Sequence, residues 1–141
     1  MATKIHSGRE TGFGGGVLIF AKDTSSFLWI KRSEYGDYPG HWCVPGGGIE
    51  DFETIEQGVK REVKEEIGYT GPLDLMHMYR DVQSASFIFC NHVALVETQF
   101  DPVLNEEHTD YKWDANPPQP LHPRLELAIS EWHKRHAKAG N

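Results

Sequence analysis

Three glutamates near the middle of the chain have the type and spacing to bind a divalent cation. Residues 54–67 predict a helix, and at about 100° per residue Glu62, Glu65 and Glu66 fall within about 100° of its circumference. Carboxylates this close repel one another, so a positive partner is expected between them. Hard cations prefer carboxylate oxygens, and magnesium typically takes one or two carboxylates together with phosphate oxygens and water. The spacing therefore predicts a magnesium site that can also receive a phosphate group.

The same helix places its acids beside an apolar stripe rather than opposite to it. On a helical wheel Glu66 lies within the edge of the stripe, and Glu62 lies just beside it. A helix that merely happens to be acidic should turn its charges away from the core. The composition of the helix alone leaves both interpretations open. The stripe consists of Ile55, Val59, Val63 and Ile67.

Local patterns define the elements that must position these glutamates. Thr54 and Gln57 fit a capping box at the start of the helix, and Gly68 is expected to end it. Strand-like segments on both sides of the helix, with a second helix near the end, predict an α/β fold in which helices pack on a mixed β-sheet. The predicted strands are 17–20, 27–32, 42–44, 73–82, 86–96 and 111–113, and the final helix is 123–137.

The remaining segments are interpreted as connections. Residues 11–16 are a Gly-rich lead-in, 45–48 a sharp turn, and 97–110 a long acidic loop. The aromatic residues Phe87 and Phe89 are expected in the core.

Composition limits the class of protein. The 141 residues are expected to form one domain, 1–141, and a formal net charge of -7 argues against a long nucleic acid as the main partner. No run of about 18 apolar residues and no secretory signal is seen, so we expect no membrane partner and a cytoplasmic location. Cys43 and Cys90 are expected to be reduced and buried.

The spacing around the glutamates decides between the two interpretations of the helix. Gly47, Glu53 and Gly68 stand at fixed distances from Arg61 and from the three helix glutamates. Seven such required positions match by chance on the order of once in 10⁸ starting points. The stretch 47–69 resembles the Nudix box, G-x5-E-x7-R-E-U-x-E-E-x-G-U, where U is a bulky apolar residue. Tyr69 stands at the last position, where an aliphatic residue is usual.

This resemblance implies a fold and an activity. A Nudix protein is expected to be an α/β/α sandwich that hydrolyses a nucleoside diphosphate linked to a further group X, with Mg²⁺ or Mn²⁺ as cofactor. The glutamate at position 53 is implied to brace Arg61, which orients the metal ligands. The implied ligands are the carboxylates of Glu62, Glu65 and Glu66 and a main-chain carbonyl near Gly47.

The sequence does not decide which glutamate is the general base. A box glutamate, Glu65 or Glu66, could accept the proton of the attacking water, and so could an acid of the loop 97–110. Glu107 is favoured over Glu106 because the segment 107–113 resembles one found in several Nudix nucleotide pyrophosphatases. The alternative is that both are solvated loop acids.

Candidate substrate contacts lie before the box. The resemblance implies that Arg32 contacts a substrate phosphate, although strands also commonly end in exposed basic residues. Tyr35, Tyr38 and His41 lie in the loop 33–41, and any of them could stack on a base.

The resemblance favours one activity among several. A nucleoside triphosphate pyrophosphohydrolase, which releases a monophosphate and pyrophosphate, is the leading interpretation. Nucleotide-sugar or dinucleoside polyphosphate hydrolysis is the alternative within the family. A non-catalytic nucleotide-binding module is the alternative outside enzymes, but such modules usually lose box glutamates, and this chain keeps them. The expected partner is a small nucleotide, with a homodimer as a candidate assembly.

Overall fold

A seven-stranded mixed β-sheet forms the centre of the computed structural model, which describes residues 10–139. The strands in chain order are β1 (Glu10–Ala21), β2 (Ser26–Arg32), β3 (Trp42–Cys43), β4 (Gly46–Glu50), β5 (Met76–Ser84), β6 (Phe87–Val96) and β7 (His108–Asp114). The main order is β3-β2-β1-β6-β5, with β4 paired to β1 and β7 paired to β2. Strands β1 and β6 run parallel, and the other pairs are antiparallel.

The described part of the chain also contains two helices, α1 (Ile55–Ile67) and α2 (Pro123–Ala139). The predicted caps of α1 are confirmed. The Thr54 side chain accepts from the backbone N–H of Gln57 at 3.1 Å, and the Gln57 side chain accepts from the N–H of Thr54 at 2.9 Å. Gly68 ends the helix with φ 71°, the left-handed conformation that favours glycine.

Because the glycines of β1 have no side chain, other residues pack closely against β1 on both faces of the sheet. A Cβ at Gly15 would lie 2.6 Å from Cγ2 of Val59 in α1, and a Cβ at Gly14 would lie 2.7 Å from a ring carbon of Phe89. Successive strand residues face opposite sides of a sheet, so α1 and the Phe89 ring lie on opposite faces. Because β1 already begins at Glu10, residues 11–16 are part of a strand, and the prediction of a lead-in outside the strands was wrong.

A second correction concerns residues 45–48. They were predicted to form a sharp turn, but Gly46, Gly47 and Gly48 belong to β4 and pair with the glycines of β1. A Cβ at Gly46 would lie 2.4 Å from the carbonyl oxygen of Gly15, so the two backbones meet where no side chain fits. Pairing with β2 similarly starts β7 at His108, three residues earlier than predicted.

The core lies between the sheet and the helices. Trp29, Ile19 and Ile49 are among its largest fully buried side chains. Cys43 and Cys90 are free and buried, as predicted. Within residues 10–139, no helix is both long and apolar enough to cross a membrane.

Candidate active site

Arg61 connects the helix glutamates to the loop that precedes α1. Its Nε donates to Oε2 of Glu53 at 2.6 Å, and its Nη2 donates to Oε1 of Glu53 at 3.0 Å and to the carbonyl of Gly48 at 3.1 Å. Hydrogen bonding to Glu53 raises the pKa of the Arg61 guanidinium further above its ordinary value, so the charge is permanent. Arg61 thus joins α1, β4 and the connecting loop in one rigid unit.

The two glutamates predicted at the edge of the apolar stripe are buried. Glu62 is 0% exposed and Glu66 is 2% exposed. Oε2 of Glu62 accepts from Nη1 of Arg61 at 3.2 Å, and Oε1 of Glu66 accepts from the N–H of Gly46 at 3.1 Å. Burying two carboxylates is costly unless charges and hydrogen-bond donors compensate. Their burial beside a cleft is therefore a feature that the fold must stabilise by these contacts.

Glu65 takes a different position. Its side chain is 43% exposed, and Oε1 lies 3.5 Å from Nη1 of Arg61. Its backbone carbonyl accepts from the side chain of Asn105 at 3.1 Å, which connects α1 to the acidic loop. The structure thus brings Glu62 and Glu66 together on one cleft, whereas Glu65 is exposed and is not among the residues that line it.

The donor set at this cleft fits a hard divalent cation. A Cβ at Gly47 would lie 2.5 Å from Oε2 of Glu62, so the Gly47 backbone lies directly against this carboxylate. Carboxylate and carbonyl oxygens are the ligands that magnesium prefers. Among the side chains of residues 10–139, no three His, Cys, Asp or Glu are already grouped around one point. A cation here would therefore draw on main-chain oxygen, water or phosphate as well as on the buried acids.

We call the space in front of these residues the phosphate cleft, a volume of about 400 Å³ lined by Arg32, Gly47, Glu62, Glu66 and Glu107, with Tyr35 at its rim. Glu107 therefore shares a cleft with both buried glutamates, whereas Glu106 is exposed and does not line it. The N–H of Glu107 donates to the side chain of Asn105 at 3.0 Å. Asn105 thereby holds the loop acid and helix α1 together.

An adjoining space, which we call the aromatic cleft, has a volume of about 510 Å³. It shares Arg32, Val44 and the backbone 46–48 with the phosphate cleft. Phe87 and Phe89 were predicted in the core, but both are half-buried and line this cleft. Alternation along a strand shows which face a side chain takes, but it does not show whether a helix covers that face.

Arg32 and the aromatic residues of the loop 33–41 lie at different places relative to the two clefts. Nε of Arg32 donates to the carbonyl of Asp37 at 2.5 Å, and Arg32 lines both clefts. Tyr38 lines the aromatic cleft with its ring 4.4 Å from that of His122. Tyr35 is 77% exposed at the phosphate cleft. His41 packs edge-on against Tyr38 at 5.6 Å and is not in the wall of either cleft.

Sequence patterns did not indicate the polar end of the aromatic cleft. Asp81 on β5 is 2% exposed and forms a two-point ion pair with Arg124 at the start of α2. Gln83 also donates to Asp81, and Asn91 lines the same cleft. Asp81 and Arg124 are 43 residues apart, so no local spacing could have linked them.

Two titratable groups near these clefts are held neutral. Burial raises the pKa of the Cys43 thiol to about 12. Burial, together with the positive charge of Arg32, lowers the pKa of His122 below its ordinary value. Neither is therefore a charged group at neutral pH.

The sequence and the fold both resemble those of known proteins. The NUDIX domain profile matches residues 12–133, a range that contains the glutamate helix, both clefts and most of α2. The chain belongs to the Nudix family. It is a Nudix hydrolase, an enzyme that acts on phosphorus anhydrides, and its fold is the α/β/α sandwich with a mixed sheet.

Relatives with assigned names resemble this Nudix hydrolase over most of their length. The nucleoside triphosphatase NudI of Klebsiella pneumoniae is 32% identical over 112 residues, covering 69% of this chain and 78% of that protein. The NudI protein of Escherichia coli K12 is 27% identical over 122 residues, covering 78% and 86%. Nudix hydrolases generally use divalent metal ions, and Nudix relatives act on small nucleotides.

Solved structures show the same architecture. A MutT Nudix hydrolase from Burkholderia pseudomallei superposes with a TM-score of 0.65 at 26% identity, covering 84% of this chain and 95% of that one. A C. elegans Ap4A hydrolase superposes with a TM-score of 0.66 at 22% identity, covering 89% and 98%. The second likeness concerns the fold alone.

Proposed function

We propose that this Nudix hydrolase cleaves nucleoside triphosphates to a monophosphate and pyrophosphate in a reaction that depends on Mg²⁺ or Mn²⁺. The main support for this proposal is the phosphate cleft, where the buried Glu62 and Glu66 face the same space as Arg32 and Glu107. The name of the relatives in Klebsiella and Escherichia supports a triphosphate substrate.

Glu62, Glu65, Glu66 and the main-chain carbonyl of Gly47 are the proposed metal ligands. When bound, the cation would neutralise phosphate charge, lower the pKa of a bound water and stabilise the leaving phosphate. The approach of Gly47 to the Glu62 carboxylate supports this ligand set. Arg61, fixed by Glu53, is the positioning residue because it orients Glu62 and Glu65 without lining the cleft.

The other residues of the cleft have proposed roles in binding and proton transfer. Arg32 donates to phosphate oxygens, since its guanidinium lies where the two clefts join. Water attacks one of the two phosphorus atoms of the α–β bridge, the bond from that phosphorus to the bridging oxygen breaks, and the carboxylate of Glu107 accepts the proton of the water. Tyr35, Tyr38 and His41 are retained as candidate base contacts, with Tyr38 favoured because it alone lines the aromatic cleft.

The proposal also covers the domain organisation, the cellular compartment and the oligomeric state of the enzyme. A single domain over 1–141 in the cytoplasm is proposed, and the free thiols of Cys43 and Cys90 agree with a reducing compartment. A homodimer is the proposed assembly, as in many members of the family.

Product identification tests the proposal. The purified chain is incubated with Mg²⁺ and, separately, with nucleoside triphosphates, nucleotide sugars and dinucleoside polyphosphates, and the products are separated by ion exchange. We expect a monophosphate and pyrophosphate from triphosphates at the highest kcat/KM. Preferential cleavage of a nucleotide sugar or dinucleoside polyphosphate would replace the proposed substrate class. No cleavage of any of them would favour a non-catalytic binding module.

A further inference from the structure

The polar end of the aromatic cleft is organised by one buried carboxylate. Oδ2 of Asp81 accepts from Nε of Arg124 at 3.0 Å and from Nε2 of Gln83 at 3.2 Å, and Oδ1 accepts from Nη2 of Arg124. Asp81 is 2% exposed, whereas Arg124 and Gln83 are exposed in part and line the cleft. A single acid therefore fixes two side chains that face a ligand space.

These contacts determine which atoms Arg124 and Gln83 can present. Asp81 accepts the N–H of Nε and one N–H of Nη2 from Arg124. Nη1 makes no hydrogen bond within residues 10–139, so it is left as a donor. The Asp81 carboxylate can only accept, which requires the Gln83 amide to turn its NH₂ group toward it. The Gln83 carbonyl is thereby left as an acceptor. Asp81 thus fixes a donor side chain and an acceptor side chain in the wall of the same cleft.

The rest of the aromatic cleft suits a flat ring. Phe87 and Phe89 lie over the Gly14 backbone, where a Cβ would come within 2.8 Å of either ring. The cleft continues into the phosphate cleft past Arg32. A molecule with phosphates in one cleft can therefore place an aromatic base in the other, stacked against phenylalanine.

We propose that Arg124 and Gln83, fixed by Asp81, select bases that present a carbonyl oxygen next to a ring N–H. Guanine, uracil and thymine offer this acceptor–donor pair, whereas adenine and cytosine offer an amino group next to a bare ring nitrogen. Arg124 donates to the carbonyl oxygen, and Gln83 accepts from the ring N–H. The wrong bases leave both partners unsatisfied, which strongly disfavours them. The inference rests on the proposed function, since it names the base of that substrate.

Equilibrium binding tests base selection separately from turnover. The affinities of dGTP, dTTP, dATP and dCTP are measured by calorimetry with Ca²⁺ in place of Mg²⁺, for the wild type and for Gln83→Leu, Arg124→Lys and Arg135→Gln. Gln83→Leu leaves the Asp81–Arg124 pair in place, and Arg124→Lys keeps the charge but loses Nη1. Arg135 lies on α2 against Tyr79 and outside the cleft, so it is the matched control for removing a cation. Thermal unfolding checks that each variant is folded.

We expect dTTP and dGTP to bind at least about 10-fold more tightly than dCTP and dATP in the wild type and in Arg135→Gln. Gln83→Leu and Arg124→Lys should each bring this ratio to within about threefold of unity. Equal affinity for all four nucleotides, no binding of any, or an unchanged ratio in both cleft variants would overturn the inference. Selective binding without Mg²⁺-dependent cleavage would instead overturn the proposed function and leave base selection standing.

Discussion

Arg61 and Glu53 form a two-point ion pair, with Nε 2.6 Å from Oε2 and Nη2 3.0 Å from Oε1. The Glu53 side chain is 7% exposed, and its Oε1 also accepts from the N–H of Glu50 at 3.0 Å. The same guanidinium reaches Glu62 at 3.2 Å. A residue of the loop thereby controls the position of a buried acid on the helix.

Glu53→Gln should lower kcat/KM about 10- to 100-fold, because Arg61 loses the two-point ion pair that fixes it and so no longer fixes Glu62. The apparent Mg²⁺ requirement should rise at the same time, which a purely structural role would not produce. Glu56→Gln is the matched control, since Glu56 is an exposed acid of α1 that pairs with Lys60. Unchanged kcat/KM and Mg²⁺ dependence in Glu53→Gln would remove the positioning role.

Glu107 and its neighbour Glu106 provide a matched pair for locating the general base. Glu107→Gln should reduce kcat at least about 100-fold, because a positioned base typically contributes that much. Glu106→Gln should stay within about threefold of the wild type, since Glu106 does not line the phosphate cleft. Similar small losses in both variants would return the base role to Glu65 or Glu66.

Gly47 is predicted to tolerate no side chain. In Gly47→Ala the new Cβ would lie 2.5 Å from Oε2 and 2.8 Å from Cδ of Glu62, and this carboxylate is enclosed. We expect a stability loss of about 1–3 kcal/mol in urea unfolding and a fall in kcat of at least 10-fold. Gly36→Ala is the control for stability, because its Cβ would meet only Nη2 of Arg32 at 3.6 Å. Normal stability and turnover in Gly47→Ala would contradict the close approach.

His92 should make the fold less stable in mild acid. Burial lowers the pKa of His92 below its ordinary 6.5, although its hydrogen bond to the carbonyl of Gly16 opposes this shift. Below pH 6.5 the unfolded chain takes up this proton before the folded chain does, so stability falls as the pH falls. His92→Asn should therefore lose less unfolding free energy than the wild type between pH 7 and pH 5, as measured by urea titration. Equal losses would contradict the assignment.

Sequence patterns predicted the parts of the site whose determinants are local. The capping residues, the apolar stripe and the acids of α1 all lie within one short segment, so helical geometry alone placed Glu62 and Glu66 at the edge of the core. The Glu53–Arg61 contact also lies within this segment, and the Nudix resemblance indicated it. The wheel predicted a position at the edge of the stripe for both acids, and the structure buries both of them.

Long-range pairing produced the features that the patterns did not predict. Strand β4 exists because glycines 46–48 pair with glycines 14–16, and a run of glycines in sequence is equally typical of a turn. The Asp81–Arg124 pair joins β5 to α2 across 43 positions. Phe87 and Phe89 were predicted in the core because the sequence does not show which part of a sheet face is left uncovered by a helix and lines a cleft instead.

Turnover of the three α1 glutamate variants tests whether these carboxylates hold a catalytic metal ion. Hydrolysis of nucleoside triphosphates is measured with and without Mg²⁺ for the wild type and for Glu62→Gln, Glu65→Gln and Glu66→Gln, alongside thermal unfolding of each protein. We expect Mg²⁺-dependent release of pyrophosphate by the wild type and a loss of at least 100-fold in each variant, with the fold retained. Near-normal turnover in all three variants would show that the α1 glutamates do not form the metal site.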